Sequence, residues 1–149
     1  MSKLAIIPAR GGSKRIPKKN IKEFLGKPII AYAIETAINS KLFDEVMVST
    51  DDHEIAKIAL NYGAKVPFLR SEKNANDSAP TIDVIKEVIL YYEKLGRKFE
   101  DASCIYPCTP LLSKERLLES FDLLEKNNLD CVFPIIKYGF PIQRAIRIN

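Results

Sequence analysis

Apolar residues fall into two kinds of pattern along the chain. Continuous short runs occur at residues 4–7, 45–50 and 102–106, each closed off by polar or proline-containing segments. Such runs predict strands buried on both faces. Between them apolar residues recur at helical spacing. Ile29, Ile30, Ala33, Ile34, Ala37 and Ile38 share one face of a helix starting at Lys27-Pro28, because Pro suits the first helical position, and ending at Asn39-Ser40. Ile55, Ala56, Ile58, Ala59 and Tyr62 form a second stripe, capped by Asp51 or Asp52 and stopped at Gly63. Ile82, Ile85, Val88, Ile89 and Tyr92 form a third, capped by Thr81 and closing at Gly96; Leu117, Leu118, Phe121 and Leu124 form a fourth over residues 113–127.

The remaining segments are less regular. Residues 66–70 read as a short extended piece for which Pro67 argues an edge or an excursion and not a central strand. Residues 71–80 read as a loop, residues 130–136 as a further strand, and residues 137–149 are mixed. Strands alternating with helices of this length mean βαβ units, a mostly parallel sheet and right-handed crossovers, the α/β class. No repeat, linker or low-complexity stretch divides the chain, so residues 1–149 are expected to form one domain. The order stops at residues 147–149 without a capping element, and the C-terminal edge of the sheet is expected to be unprotected.

Composition narrows the class without naming a function. The chain has 149 residues, 46% of them hydrophobic and 28% charged, as in globular domains. The N-terminal apolar run is too short for a signal peptide or a membrane span. Cys104, Cys108 and Cys131 show no metal-ligand spacing and read as reduced core or near-core thiols of a cytoplasmic protein. His53, the sole histidine, reads as a surface residue at a helix start.

Charge changes the picture. Between Arg10 and Lys22 lie six cations (Arg10, Lys14, Arg15, Lys18, Lys19, Lys22) and no acid. Without those six, 17 basic residues face 19 acidic ones, a balance of −2, so the net +4 belongs to this loop. From composition alone it reads as a solvated loop, a nucleic-acid patch or a site for a multiply charged anion. Gly11-Gly12 at the end of the first strand favours the last: it lets backbone N–H groups approach an anion where open α/β sheets bind ligands. The loop is neither a Walker loop nor G-x-G-x-x-G. Clustered aromatics are missing around it, which argues against nucleic acid.

The segment Ile6-Ile7-Pro8-Ala9-Arg10-Gly11-Gly12-Ser13-Lys14-Arg15-Ile16-Pro17-Lys18-Lys19-Asn20-Ile21 resembles the signature of the CMP-nonulosonic acid synthetases, the acylneuraminate cytidylyltransferase family. Later segments extend the resemblance over essentially the whole chain, most strongly toward the branch that activates pseudaminic acid. Members of that family are longer, so the resemblance covers their N-terminal two-thirds. It implies a Rossmann-like nucleotide-diphospho-sugar transferase fold that lacks its C-terminal third here. It also implies transfer of CMP from CTP to a nine-carbon acidic sugar with release of pyrophosphate, for surface glycan biosynthesis. A homodimer in the cytoplasm, with neither nucleic acid nor membrane as partner, goes with it.

The resemblance also implies roles. Arg10, Lys14 and Lys19 match the triphosphate-binding cations, and Ala9, Gly11, Gly12 and Ser13 the backbone around them; Arg15 and Lys18 can equally be solvated. Asn20 matches the residue that reads the cytosine edge, and Arg70 an arginine that contacts the nucleotide, although a surface ion pair is the plain alternative. In the segment from Asn76 to Thr81, Ala79 falls near the base and Thr81 near the ribose, with a structural cap by Thr81 equally open. Tyr106 stands where sialic acid synthetases carry Gln, and Gln143 and Arg144, in Tyr138-Gly139-Phe140-Pro141-Ile142-Gln143-Arg144, are candidates for the sugar carboxylate and N-acyl groups or form a turn. The family's Mg²⁺ ligands, a D-x-D pair in the C-terminal third, have no counterpart here. Asp51-Asp52 better suits a helix cap, and Asp77 is a weaker candidate for a supporting role. The alternatives are therefore a sialic acid synthetase or a nucleotide-binding fragment without turnover.

Overall fold

The first apolar run becomes the centre of the sheet. In the computed structural model, which describes residues 2–137 and Gly139, β1 (Lys3–Pro8) lies between β4 (Glu45–Ser49) and β5 (Asp101–Cys104), and both pairings are parallel. Leu4 sits opposite Glu45 on one side and Ala102 on the other. Alternate residues then supply two cores. Ala5, Ile7, Val46 and Val48 pack with α1 (Ile29–Ser40), α2 (His53–Asn61) and Leu117. Leu4, Ile6 and Met47 pack with Val88 and Tyr92 of α4 (Thr81–Lys94) and with Phe68 and Phe99. Covering both faces is what a continuous apolar strand requires.

The edge role expected for residues 66–70 is what the backbone shows. The N–H of Val48 donates to Lys65 O (2.8 Å), and the N–H of Arg70 donates to Thr50 O (2.8 Å), so the segment flanks β4 around Pro67. Asp52 caps α2, its side chain accepting from the N–H groups of Glu54 (2.7 Å) and Ile55 (3.0 Å).

Several expectations are corrected. Pro28 is the N-cap of α1 and the helix begins at Ile29. The stretch before it holds a hairpin that apolar periodicity does not mark: β2 (Glu23–Phe24) and β3 (Lys27–Pro28) join through Leu25 and Gly26, both at positive φ as a tight two-residue hairpin turn requires. Residues 72–75, expected as loop, form a single helical turn, α3 (Glu72–Ala75). In α4, Pro80 occupies the cap position, Thr81 is the first helical residue, and no side chain caps the helix. The buried ridge of α4 is Val84, Val88 and Tyr92, one i+4 row, which leaves Ile82 and Ile89 exposed.

The chain divides into two compact units, Met1–Leu118 and Glu119–Asn149. The helix expected over residues 113–127 is α5 (Lys114–Lys126), with Leu117 buried and Leu118 exposed. Residues 130–136 form no strand: Phe133, Ile135 and Ile136 are exposed, since an apolar run becomes a strand only where a neighbour pairs its backbone, and Cys131, expected in or near the core, is exposed with them. Among the described residues no helix is long and apolar enough to cross a membrane.

One buried charge is built into the second core. Glu45 accepts from the Tyr92 hydroxyl and from Arg97 Nη1 (2.6 Å), with Lys65 Nζ at 3.4 Å. Burial pushes the Glu45 carboxyl up, but these donors outweigh it and hold it below the ordinary glutamate value. A depressed folded-state pKa contributes stability above the unfolded value, about pH 4.3, that is lost as pH falls through the lower folded one. Glu45→Gln should therefore flatten the acid limb of a urea-midpoint profile between about pH 3 and pH 6. Glu45→Ala, which strands the Tyr92 hydroxyl, should lower stability by about 1–3 kcal/mol at neutral pH.

Candidate active site

The sheet order β4-β1-β5 places successive neighbours on opposite sides of β1, so the crevice at the carboxyl end of β1 is a topological switch point. Ala9, fully buried, leaves the strand there and donates its N–H to Ser49 O (2.9 Å). The next residues bend sharply. Gly11 donates its N–H to Asp51 Oδ1 (2.9 Å), and Ser13 donates its N–H back to Gly11 O (2.8 Å). The expectation that Gly11 and Ser13 both present N–H groups to an anion is thus corrected, since in this structure those N–H groups have partners within the chain. Gly11 is glycine for a different reason: an added Cβ would lie 2.6 Å from Asp52 Oδ2 and 2.8 Å from Asp52 Cβ. Gly12 faces open space, with no heavy atom within 4 Å of an added Cβ.

The cations divide by what holds them. Arg10 Nη1 lies 2.6 Å from Asp77 Oδ1, and Lys14 Nζ pairs with Asp77 Oδ2. Lys14, then Arg10, holds the Asp77 carboxyl below its ordinary value. Lys18, left-handed at φ 51°, reaches Glu54 on α2 at 2.5 Å. Lys19 opens the 3-10 turn Lys19–Ile21 and, like Arg15, is exposed. Asn20, on the same turn, is only 4% exposed. Its Nδ2 donates to Arg10 O (2.9 Å), and its Oδ1 accepts from the Cys108 thiol (3.5 Å). Asn20 thereby ties the loop after β1 to the segment after β5. Burial raises the Cys108 thiol, with Lys19 pulling the other way.

Arg70 is no surface ion pair. It is 7% exposed, its Nε donates to Ser49 Oγ (3.0 Å) and its Nη2 donates to Ser49 O. Burial lowers its pKa, against the fields of Asp51 and Glu87, and Arg10 adds to the lowering. A buried guanidinium with another arginine's field upon it favours an anion nearby. The Thr81 hydroxyl lies 3.3 Å from the Tyr106 hydroxyl, Ala79 is half-buried, and Tyr106 is exposed. Gln143 and Arg144 lie outside the described residues. The structure thus brings Ala9, Arg10, Lys14 and Asn20 together at one mouth, with Asp77 facing them, and sets Thr81 beside Tyr106.

Sequence reasoning assigns Ser49 no role, offers Asp51 only as a helix cap and reads Cys108 only as a thiol, whereas Asp51 holds Gly11 and Cys108 holds Asn20. A polar run, Ser49-Thr50-Asp51-Asp52, directly after a buried strand was the available signal. Among the described residues no group of three or more His, Cys, Asp or Glu is placed to hold a metal ion. The carboxylates at the mouth are already committed: Asp51 to Gly11, Asp52 to the α2 cap and Asp77 to two cations. The described residues therefore do not fit a Mg²⁺ site. A surface hollow of about 420 Å³ lies beside α3 and α4, lined by Phe68, Lys73, Glu87 and Tyr91, and includes none of these cations.

Arginine and lysine thus line the switch-point crevice of an α/β domain. Residues 4–141 match the cytidylyltransferase family, and the chain belongs to that family. It is 44% identical over its whole length to a pseudaminic acid cytidylyltransferase of Campylobacter jejuni, spanning 64% of that protein. It is 38% identical over 80% of its length to a CMP-N,N'-diacetyllegionaminic acid synthase of Legionella pneumophila, spanning 52% of it. A solved CMP:2-keto-3-deoxy-manno-octonic acid synthetase, complexed with CTP, shares the fold at TM-score 0.71 and 23% identity, over 86% of this chain and 49% of that one.

Two glycine substitutions separate the roles of the pair. Gly11→Ala must push Asp52 from its cap and should cost about 1–3 kcal/mol in thermal or urea unfolding. Gly12→Ala should leave stability within about 0.5 kcal/mol.

Proposed function

We infer that this chain is the nucleotide-binding part of a cytidylyltransferase that transfers CMP from CTP to a nonulosonic acid, pseudaminic acid being the favoured sugar. The anomeric hydroxyl attacks the α-phosphate, a new P–O bond forms, and pyrophosphate leaves. Such transfer rests on in-line positioning and on positive charge against the leaving phosphates. The observation that carries the reading is the convergence of Arg10 and Lys14 on one carboxylate at the mouth of β1. Two cations that reach a single anion there can reach a pyrophosphoryl group there.

The proposed roles extend that reading to the other candidate residues. Arg10, Lys14 and Lys19 bind the β- and γ-phosphates, Gly12 gives them room, and Arg70 adds field from behind Ser49. Asn20 reads the cytosine edge with the donor and acceptor capacity its two intramolecular bonds leave unused. Ala79 and Thr81 are assigned to the nucleoside and Tyr106 to the sugar; Gln143 and Arg144, outside the described residues, are assigned to the sugar on the family resemblance alone. An aromatic side chain at position 106 suits a sugar with an added acyl and a methyl group. Mg²⁺ enters as the counter-ion of CTP, not as a metal held by the described residues. The free thiols fit a cytoplasmic protein, and a homodimer is part of the same proposal.

Titration with CTP, UTP, ATP and GTP, read by thermal shift, tests the base. CTP should give the largest shift; an equal shift from ATP would contradict the role of Asn20. Arg10→Ala should weaken CTP binding by about 10- to 100-fold, the loss of a charged hydrogen bond to phosphate, and leave CMP binding nearly unchanged. Pyrophosphate release by the native-length protein with CTP tests the sugar. Pseudaminic acid should turn over faster than sialic acid, and Tyr106→Gln should narrow the difference; equal turnover would leave only the broader family assignment.

A further inference from the structure

The carboxylate of Asp77 stands where the inferred phosphate would have to go. Its two oxygens are divided between the two cations, Oδ1 with Arg10 and Oδ2 with Lys14, as two phosphate oxygens would be. The segment that presents it is braced. Asn76 Oδ1 accepts from the N–H of Ser78 (2.8 Å) and its Nδ2 donates to Lys73 O (2.7 Å), which shapes the turn around Asp77. Glu87 on α4 accepts from Asn74 Nδ2 (2.7 Å) and from the N–H of Ser71 (3.0 Å), anchoring the base of that segment. Asp77 itself is 39% exposed and Lys14 83%, so the pair can part without unpacking the core.

We propose that Asp77 is a specificity-determining residue, an internal counter-ion that a polyphosphate must displace from Arg10 and Lys14 and that returns when the polyphosphate leaves. This rests on the reading of the loop as the phosphate site. Its effect is selective. A triphosphate or pyrophosphate needs both cations and meets the competition. A nucleoside monophosphate, held at the α-phosphate and base, does not. Asp77 therefore lowers affinity for both the incoming triphosphate and the departing pyrophosphate. It keeps the crowded cations neutralised when the site is empty, and it eases release of the leaving group.

The test is calorimetric titration of wild type, Asp77→Asn and Asp77→Ala with inorganic triphosphate, pyrophosphate and CMP, without metal. Exposed ion pairs of this kind are modest, so each variant should bind triphosphate and pyrophosphate about three- to tenfold more tightly, with CMP unchanged. Triphosphate affinity that stays the same or falls in both variants, while wild type binds, overturns the proposal and leaves the phosphate site intact. Tightening of CMP by the same factor overturns the selectivity. Wild type that binds no triphosphate sinks this proposal and the reading beneath it together.

Discussion

Six positive side chains crowded between Arg10 and Lys22 repel one another, and much of the first unit is arranged to hold them at the end of one strand. β1 delivers the loop from the middle of a parallel sheet. The end of β4 then fixes it: Ser49 accepts the N–H of Ala9, Asp51 the N–H of Gly11, and Asp52 both caps α2 and fills the space that forces glycine at position 11. The carboxylates of Glu54 and Asp77 meet three of the cations. Packing of the two cores sets this geometry, and Ile21, packed against the first core, anchors the far end of the loop.

Buried polar groups link that loop to the rest of the sheet. Arg70 enters from the edge segment beyond β4 and bonds Ser49, the same residue that receives Ala9. Asn20 reaches in the other direction, from the Arg10 carbonyl to the Cys108 thiol past β5. The loops after β1, β4 and β5 are therefore joined through Ser49 and Asn20. In a dry setting such bonds are costly to break singly, which gives the mouth a defined shape before any ligand arrives.

Much of the architecture was legible because periodicity reports burial directly. Pro67 marked residues 66–70 as no central strand, and the β1 and β4 runs and the α1 and α2 stripes follow from periodicity. What it could not report is pairing. The β2–β3 hairpin depends on the backbone torsions at Leu25 and Gly26, and residues 130–136 have strand-like composition with no strand beside them among the described residues. The candidate site was legible as a set of cations, since charge is visible in sequence. Their counter-ions were not. Asp77 lies 63 positions beyond Lys14, and only the fold sets the two together. Thr81 was expected to cap α4; Pro80 takes that position, and the Thr81 hydroxyl turns to Tyr106.

The central claim is that the end of β1 is where a cytidine triphosphate sits. Backbone amide chemical shifts of the isotope-labelled protein, followed through a titration with CTP, test it without relying on turnover. The account predicts shifts confined to residues 9–20, to Arg70, to residues 77–81 and to the segment just past β5, saturating together. Shifts centred on the hollow beside Phe68 and Tyr91, or no saturable shift at residues 9–20, would contradict it.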